Sequence, residues 1–422
     1  MRTNVRCSVS DLEMKATIIL FCAVVGALAN QKIAETCHQE DNCLAAEGCR
    51  CAEKKSPLPV EETPQFIILA YNDAVTDGIY NQYLEPHLFG RTNPDGSRIG
   101  VTFFVPHEYT DYEKVNNLYN LGFEIAVHSI TKNPLSSYWQ EADAQLLYDE
   151  FYGQRQICSK FANIPIEDVI GARTPNLELN GDITFEAYQQ AGIQYDNSWT
   201  AHSNNRYFPY SLDCLSEQPC LIGKCPKESF PGTWVLPIID LTGTNDNQCN
   251  SLLGCVVEAE SAADVTNWLM GQFNSHYQGN KSPMTLTINS AWFLAGDYNE
   301  QGFIDFLDQL DGMDDVYFIS HQQLLTWSKN PQPLGEYVPN TSERNAACES
   351  KTCPLLHGEE TRYMRVCVAT CPDEYPWVGN PLGETEEPTE EPTEEPTEEP
   401  TEEPTEEPTE EPTEEPVDPE NP

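Results

Sequence analysis

The stretch FIILAYNDA, residues 66–74, decides the fold. Its first five residues, Phe66 to Ala70, are apolar and rich in strand-favouring side chains, and the run is too short for an ordinary helix. It reads as a buried strand that ends directly in polar groups, Asn72 and Asp73. The pattern returns seven times: VTFFV at 101–105, FEIAV at 123–127, VIGA at 169–172, GIQY at 192–195, WVLPII at 234–239, MTLTI at 284–288 and VYFI at 316–319. Amphipathic stretches lie between them, notably 141–161 and 262–277. Eight apolar strands alternating with helices predict a parallel α/β fold, doubly wound or a barrel. Five runs deliver polar side chains at their ends: Asn72 and Asp73, His128, Arg173, Asp196 and Asn289. A (β/α) barrel gathers its chemistry at the C-terminal ends of its strands, and this favours the barrel.

The 422 residues carry 23 basic and 68 acidic side chains, a net charge of -45. Residues 384–422 hold 19 of the acids and no base, yet residues 30–383 still carry -27. So acidic a body argues against nucleic acid and against an anionic lipid surface, both of which need clustered Lys and Arg. At the start, Lys15 precedes an apolar run at 16–28 that exits through Ala27-Leu28-Ala29, the pattern of a signal peptide over residues 1–29 and of a secreted protein. The run is too short to span a bilayer, and no other segment reaches about 18 apolar residues.

Of 16 cysteines, Cys7 and Cys22 lie in the leader, and the remaining 14 predict up to seven disulfides. Only Cys367 and Cys371 have C-x-x-x-C spacing, and no paired His follows, so bridges are favoured over zinc on cysteine. Asn280-Lys281-Ser282 and Asn340-Thr341-Ser342 are candidate N-glycosylation acceptors. From residue 385 to 416 the unit Thr-Glu-Glu-Pro repeats eight times. Proline at every fourth position stops helix and sheet, and adjacent carboxylates repel, so residues 384–422 are expected to be a disordered acidic tail. Its Thr- and Pro-rich composition is also that of O-glycosylated stalks. Between leader and tail the expected organisation is a Cys-rich segment at 30–64, a barrel at 65–330 and a Cys-rich extension packed on the barrel at 331–383.

Five short motifs occur in order: Ala70-Tyr71-Asn72-Asp73-Ala74, His128-Ser129-Ile130-Thr131-Lys132, Arg173-Thr174-Pro175-Asn176, Asp196-Asn197-Ser198-Trp199 and Thr287-Ile288-Asn289-Ser290-Ala291-Trp292. As an ordered set over roughly residues 37–383 they resemble the polysaccharide deacetylases (carbohydrate esterase family four, the NodB homology domain), and within them the insect chitin deacetylase-like group. The resemblance implies a distorted (β/α) barrel whose zinc holds a water that attacks an N-acetyl carbonyl. It implies a first motif with two Asp, general base and metal ligand, and a second motif, His-Ser/Thr-x-x-His, whose two His bind metal from one face of a helical turn. It also implies an Arg that orients the base, an oxyanion-holding Arg-x-Pro-Tyr motif, a groove-lining Asp motif and a His general acid.

The chain departs from that pattern at four positions. Asn72 stands at the base, and an amide nitrogen takes no proton near neutral pH. Lys132 stands at the second His ligand, and an ammonium has no lone pair for zinc. Asn289 stands at the general acid, and Asn176 at the oxyanion-motif Tyr. Asp73 and His128 remain as metal ligands, where catalytic zinc usually has three. Arg173 keeps the orienting position. Lys132 is expected to replace the metal and to pair with Asp73. Substrate contacts are expected from Tyr71, Asp196, Trp199 and Trp292, with Tyr109, Tyr138 and Trp139 as further sugar-stacking candidates. The reading is a secreted, monomeric, catalytically silent homologue that binds chitin or another N-acetylglucosamine polymer. The gut lining is the location that the single-domain subgroup implies. Two other readings stand beside it: a residual metal-dependent deacetylase still holding zinc, and a matrix protein that works through its acidic tail.

Overall fold

A computed structural model describes residues 33–340 and 344–385. The leader, Thr341 and Ser342 of the second glycosylation motif, and the repeat beyond residue 385 lie outside the described residues. The chain divides into two units, Met1–Glu384 and Thr385–Pro422, and the fold below is that of the first.

The strands, in chain order, are β1 (Gln65–Tyr71), β2 (Val101–Val105), β3 (Glu124–Val127), β4 (Gly171–Ala172), β5 (Tyr195–Asp196), β6 (Thr200–Ala201), β7 (Tyr210–Leu212) and β8 (Phe230–Val235). After them come β9 (Ile238–Ile239), β10 (Leu241–Thr242), β11 (Gln248–Cys249), β12 (Met284–Ile288), β13 (Val316–Phe318), β14 (Lys351–His357) and β15 (Glu360–Val366). The main sheet runs β12-β1-β2-β3-β4-β5-β8-β7, with β13 also on β1. Only the β7–β8 pair in it is antiparallel. β13 takes the first half of β1, at Gln65 to Ile67, and β2 takes the second half, at Leu69 to Tyr71. The result is a curled, distorted (β/α) barrel.

All seven residues of β1 are buried, as expected of a parallel strand covered on both faces. Ile67, Leu69 and Tyr71 join the core formed with the outer helices, including Leu147, Phe151, Phe273 and Phe303. Phe66, Ile68 and Ala70 face the other way, with Phe104, Tyr195 and Trp234. Each large side chain so buried contributes about 1.5–3 kcal/mol.

Several local expectations need correction. The runs at 169–172 and 192–195 shrink to the two-residue strands β4 and β5, whose hydrogen bonding is interrupted as the sheet curls. WVLPII splits into β8 and β9 at Leu236-Pro237, where proline has no N–H to pair. The helix expected over 141–161 is two helices, Ser136–Glu141 and Ala144–Phe161, and Asp143 caps the second by accepting from the Leu146 N–H at 2.8 Å.

Among the described residues six disulfides form, one short of the upper limit of seven. Cys158 is fully buried in the main core while Cys214 sits in a separate cluster beside the N-terminal cysteines, so the two remaining thiols have no mutual access. Sulfurs of Cys37, Cys43 and Cys51 lie within 4.8 Å of one another, but all three are in disulfides and offer no thiolate to a metal. Asn280 makes a poor glycosylation acceptor in this fold. Its amide nitrogen donates to the carbonyls of Lys54 and Arg206, each at 2.7 Å. Asn340 is exposed. Among the described residues no helix is long and apolar enough to cross a membrane.

Candidate functional site

Strand register assembles the site. β1 and β12 run in step from Ile67 opposite Met284 to Tyr71 opposite Ile288, which places Asn72 and Asp73 beside Asn289 and Ser290. The ladder continues past the strand ends: the Asn72 N–H donates to Ile288 O, the His128 N–H to Val105 O, and the Arg173 N–H to Val127 O. Asn72, His128, Arg173 and Asn289 thus reach one C-terminal rim. With Lys132 and Asn176, three of them (Asn72, His128 and Asn289) line a cleft of about 330 Å³.

Arg173 lies beneath that cleft, fully buried, with its guanidinium 4.1 Å from the Phe104 ring centroid. Its Nε donates to Asn197 O at 3.0 Å, one terminal nitrogen to the Asn197 amide oxygen, and the other to Asn72 Oδ1 at 3.3 Å. The orienting contact implied for the base is therefore present, but it holds an amide. Burial pulls the Arg173 pKa down to about 9. Asp196, also fully buried, accepts from the Ser198 N–H at 2.8 Å and the Ser198 hydroxyl at 2.6 Å. Its desolvated carboxyl is raised to about 6.

The second motif is an open loop and not the helical turn expected from its spacing. Ser129 (φ 67°) and Lys132 (φ 44°) sit in the left-handed region, which costs non-glycine residues energy and persists only when neighbours impose it. Glu150 supplies that restraint. Its carboxylate accepts from the Ile130 N–H, the Thr131 N–H and hydroxyl, and the Tyr138 hydroxyl, at 2.6–3.0 Å. Asn176 (φ 56°) is likewise left-handed and donates to Pro134 O at 3.0 Å.

His128 Nδ1 lies 2.7 Å from Arg173 O. A carbonyl can only accept, so Nδ1 carries the proton and Nε2 the lone pair. Burial, with Lys132 adding to it, holds the ring well below its usual pKa and therefore neutral. Asp73 Oδ2 accepts from both the Ser290 N–H and hydroxyl at 2.6 Å. Burial raises its carboxyl, while Ser290, Lys132 and Asn289 favour the ionised form.

Lys132 points inward and burial lowers its pKa, opposed by the charge of Asp73. Its ammonium donates to the main-chain carbonyl of Asn72 at 2.5 Å. The expected direct pairing with Asp73 does not form: none of the ion pairs within 4.0 Å joins them. The residues present do not fit a catalytic zinc. Asp73 and His128 are two donors where three are needed, one Asp73 oxygen is already committed to Ser290, and an ammonium replaces the third ligand. Asn72 supplies no base and Asn289 no acid at the two positions where the resemblance implies them.

The substrate contacts expected from large aromatics are also corrected. Tyr71, Trp199 and Trp292 are each only 2 % exposed, and Asp196 and Trp139 are 0 %, so none offers a face to a sugar. Tyr71 stacks on Phe103, Trp199 donates to Pro219 O, and Trp292 packs against Phe293 and Phe303. Tyr138 is tied to Glu150, and Tyr109 alone among these rings is largely exposed. Sequence reasoning missed Ser290, Glu150 and the cleft wall formed by Asn250, Ser251 and Leu253. That wall belongs to a loop closed by the Cys249–Cys255 disulfide. Close cysteine spacing was the one available signal for it; Ser290 stood in the fifth motif with no role assigned to it, and Glu150 had no signal.

Comparisons with known proteins fit this frame. The chain is 34 % identical over 386 residues to chitin deacetylase 8 of Bombyx mori, covering 88 % of this chain and 99 % of the relative. It is 31 % identical over 361 residues to chitin deacetylase 1 of Bombyx mori, covering 80 % and 67 %. A solved structure described as a polysaccharide deacetylase from Mycobacterium smegmatis is 16 % identical with a TM-score of 0.42, covering 70 % of this chain and 99 % of that one. A family model described as a PT disordered repeat matches residues 383–418. On the two Bombyx mori relatives, the chain belongs to the polysaccharide deacetylase family, in its insect chitin deacetylase-like group.

Proposed function

We propose that this protein is a catalytically silent member of its family that binds chitin or a related N-acetylglucosamine polymer without hydrolysing it. One observation carries the reading: the Lys132 ammonium sits in the cleft on the Asn72 carbonyl, where the family pattern calls for a metal ligand. Amides at Asn72 and Asn289 remove the base and the acid on either side. Such losses overlap, so restoring a single position recovers little. The names of the curated relatives support chitin as the polymer. The disulfide-rich build and the leader pattern support action outside the cell, and the resemblance to the insect group extends this to a matrix such as the gut lining. Asn340 is the favoured glycan acceptor of the two motifs.

The test is a chitin pull-down with acetate release measured on the same samples, using the full chain and a form ending at Glu384. Retention of both forms with no acetate released is the expected result. Retention of the full chain alone assigns the work to the acidic tail. Acetate release by the purified protein establishes a residual deacetylase and removes the reading.

A further inference from the structure

The ammonium that displaces the metal changes what the cleft can hold. Among the residues lining it are Asn72, His128, Lys132, Asn250, Thr287 and Asn289, and no carboxylate lines it. His128 donates its Nδ1–H to Arg173 O, and Lys132 carries the one ammonium among the residues of the cleft wall. Asp73 and Arg173 lie behind that wall: Asp73 is engaged by Ser290, and Arg173 by Asn197 and Asn72.

Two polar groups facing this space are incompletely satisfied. Lys132 has three N–H donors and spends one on Asn72 O, with no carboxylate within 4.0 Å. Asp73 lies near enough to act on this charge but makes no ion pair with it within 4.0 Å, so two of the ammonium donors are left for a ligand. Thr287, on β12, is 5 % exposed, and its hydroxyl has no hydrogen-bond partner. A hydroxyl and an ammonium lining one cleft are both donors, and a carboxylate, which only accepts, can take from each.

From this geometry we infer that the cleft is a carboxylate-binding site built on Lys132 and Thr287, for a small organic acid or the acid group of one sugar. A cleft of about 330 Å³ has room for a ligand of that size. The inference goes beyond polymer binding and stands or falls apart from it, because chitin units are neutral.

The test is calorimetric titration of the full chain with lactate, glucuronate and N-acetylglucosamine, repeated on Lys132→Met and Thr287→Val. Binding of lactate or glucuronate, weakened about tenfold or more by Lys132→Met and less by Thr287→Val, is the expected result. Lactate binding alone identifies a free acid, and preference for glucuronate identifies a sugar acid. Neutral sugar bound as well as either acid, no acid bound at millimolar concentration, or affinity unchanged in Lys132→Met overturns the inference. Circular dichroism and unfolding of both variants separate lost binding from lost fold. A chain that holds chitin but no acid sinks this inference alone, and one that holds acid but no chitin sinks only the polymer reading.

Discussion

Two buried polar centres lie in this barrel and are built in opposite ways. The first surrounds Glu124, which accepts from the Tyr195 hydroxyl at 2.6 Å, the Thr102 hydroxyl at 2.9 Å and the Gln322 N–H at 2.8 Å. It has the donors its burial requires, and it ties β2, β3 and β5 to the helix His321–Lys329. The second surrounds Lys132, whose charge has one hydrogen-bond partner and an open cleft beside it. The first arrangement is what stability demands; the second is tolerated where a ligand completes it.

The largest blow to this contrast comes from Glu124→Ala. It strands three buried donors and leaves a cavity, and urea unfolding is expected to show a loss on the order of 3–5 kcal/mol. A loss under about 1 kcal/mol breaks the structural half of the comparison.

Next in size is a pH effect from Asp196, at the edge of the same interior. Its folded pKa, about 6, lies above the unfolded value of about 3.9. The native state therefore holds a proton that the unfolded chain has released. The stabilisation is full below the unfolded pKa and is lost as pH rises through about 6, by up to about 3 kcal/mol. Unfolding curves of Asp196→Asn are expected to lack that slope. An identical slope in both proteins assigns it elsewhere.

Gly171→Ala sharpens the same region. An added Cβ lies 2.0 Å from the Tyr195 ring, which cannot move without leaving Glu124. A loss of about 1–3 kcal/mol in thermal unfolding is expected. The smallest effect belongs to Lys132→Met, which removes an incompletely paired cation while keeping its length. Stability is expected to change by less than about 1 kcal/mol, or to rise. A loss above about 3 kcal/mol shows that Lys132 holds the fold together, and the two centres are then alike.

The sequence made one layer of this legible. Strands β2 and β12 match their apolar runs end to end, because a strand covered on both faces must be apolar throughout. The ends of the runs that became β1, β3, β4 and β12 located Asn72, His128, Arg173 and Asn289. β4 and β5 were drawn too long, because curling breaks pairing in ways composition does not record. The aromatics misled for a related reason: Trp199 and Trp292 lie next to motif residues, but which way a ring points is decided by packing from distant segments such as Pro219 and Phe303. The wall at Asn250 and Ser251 comes from a loop far from β1 and β3 in the chain, and local pattern carries no trace of that docking.

Metal content probes the cleft most directly. Elemental analysis after dialysis against zinc is expected to find no stoichiometric metal in the wild-type chain. About one zinc per chain is expected in Asn72→Asp/Lys132→His/Asn289→His, with acetate release from chitin oligomers only there. One zinc per wild-type chain, bound despite the Lys132 ammonium, refutes the reading that a cation of the protein's own has taken the metal's place.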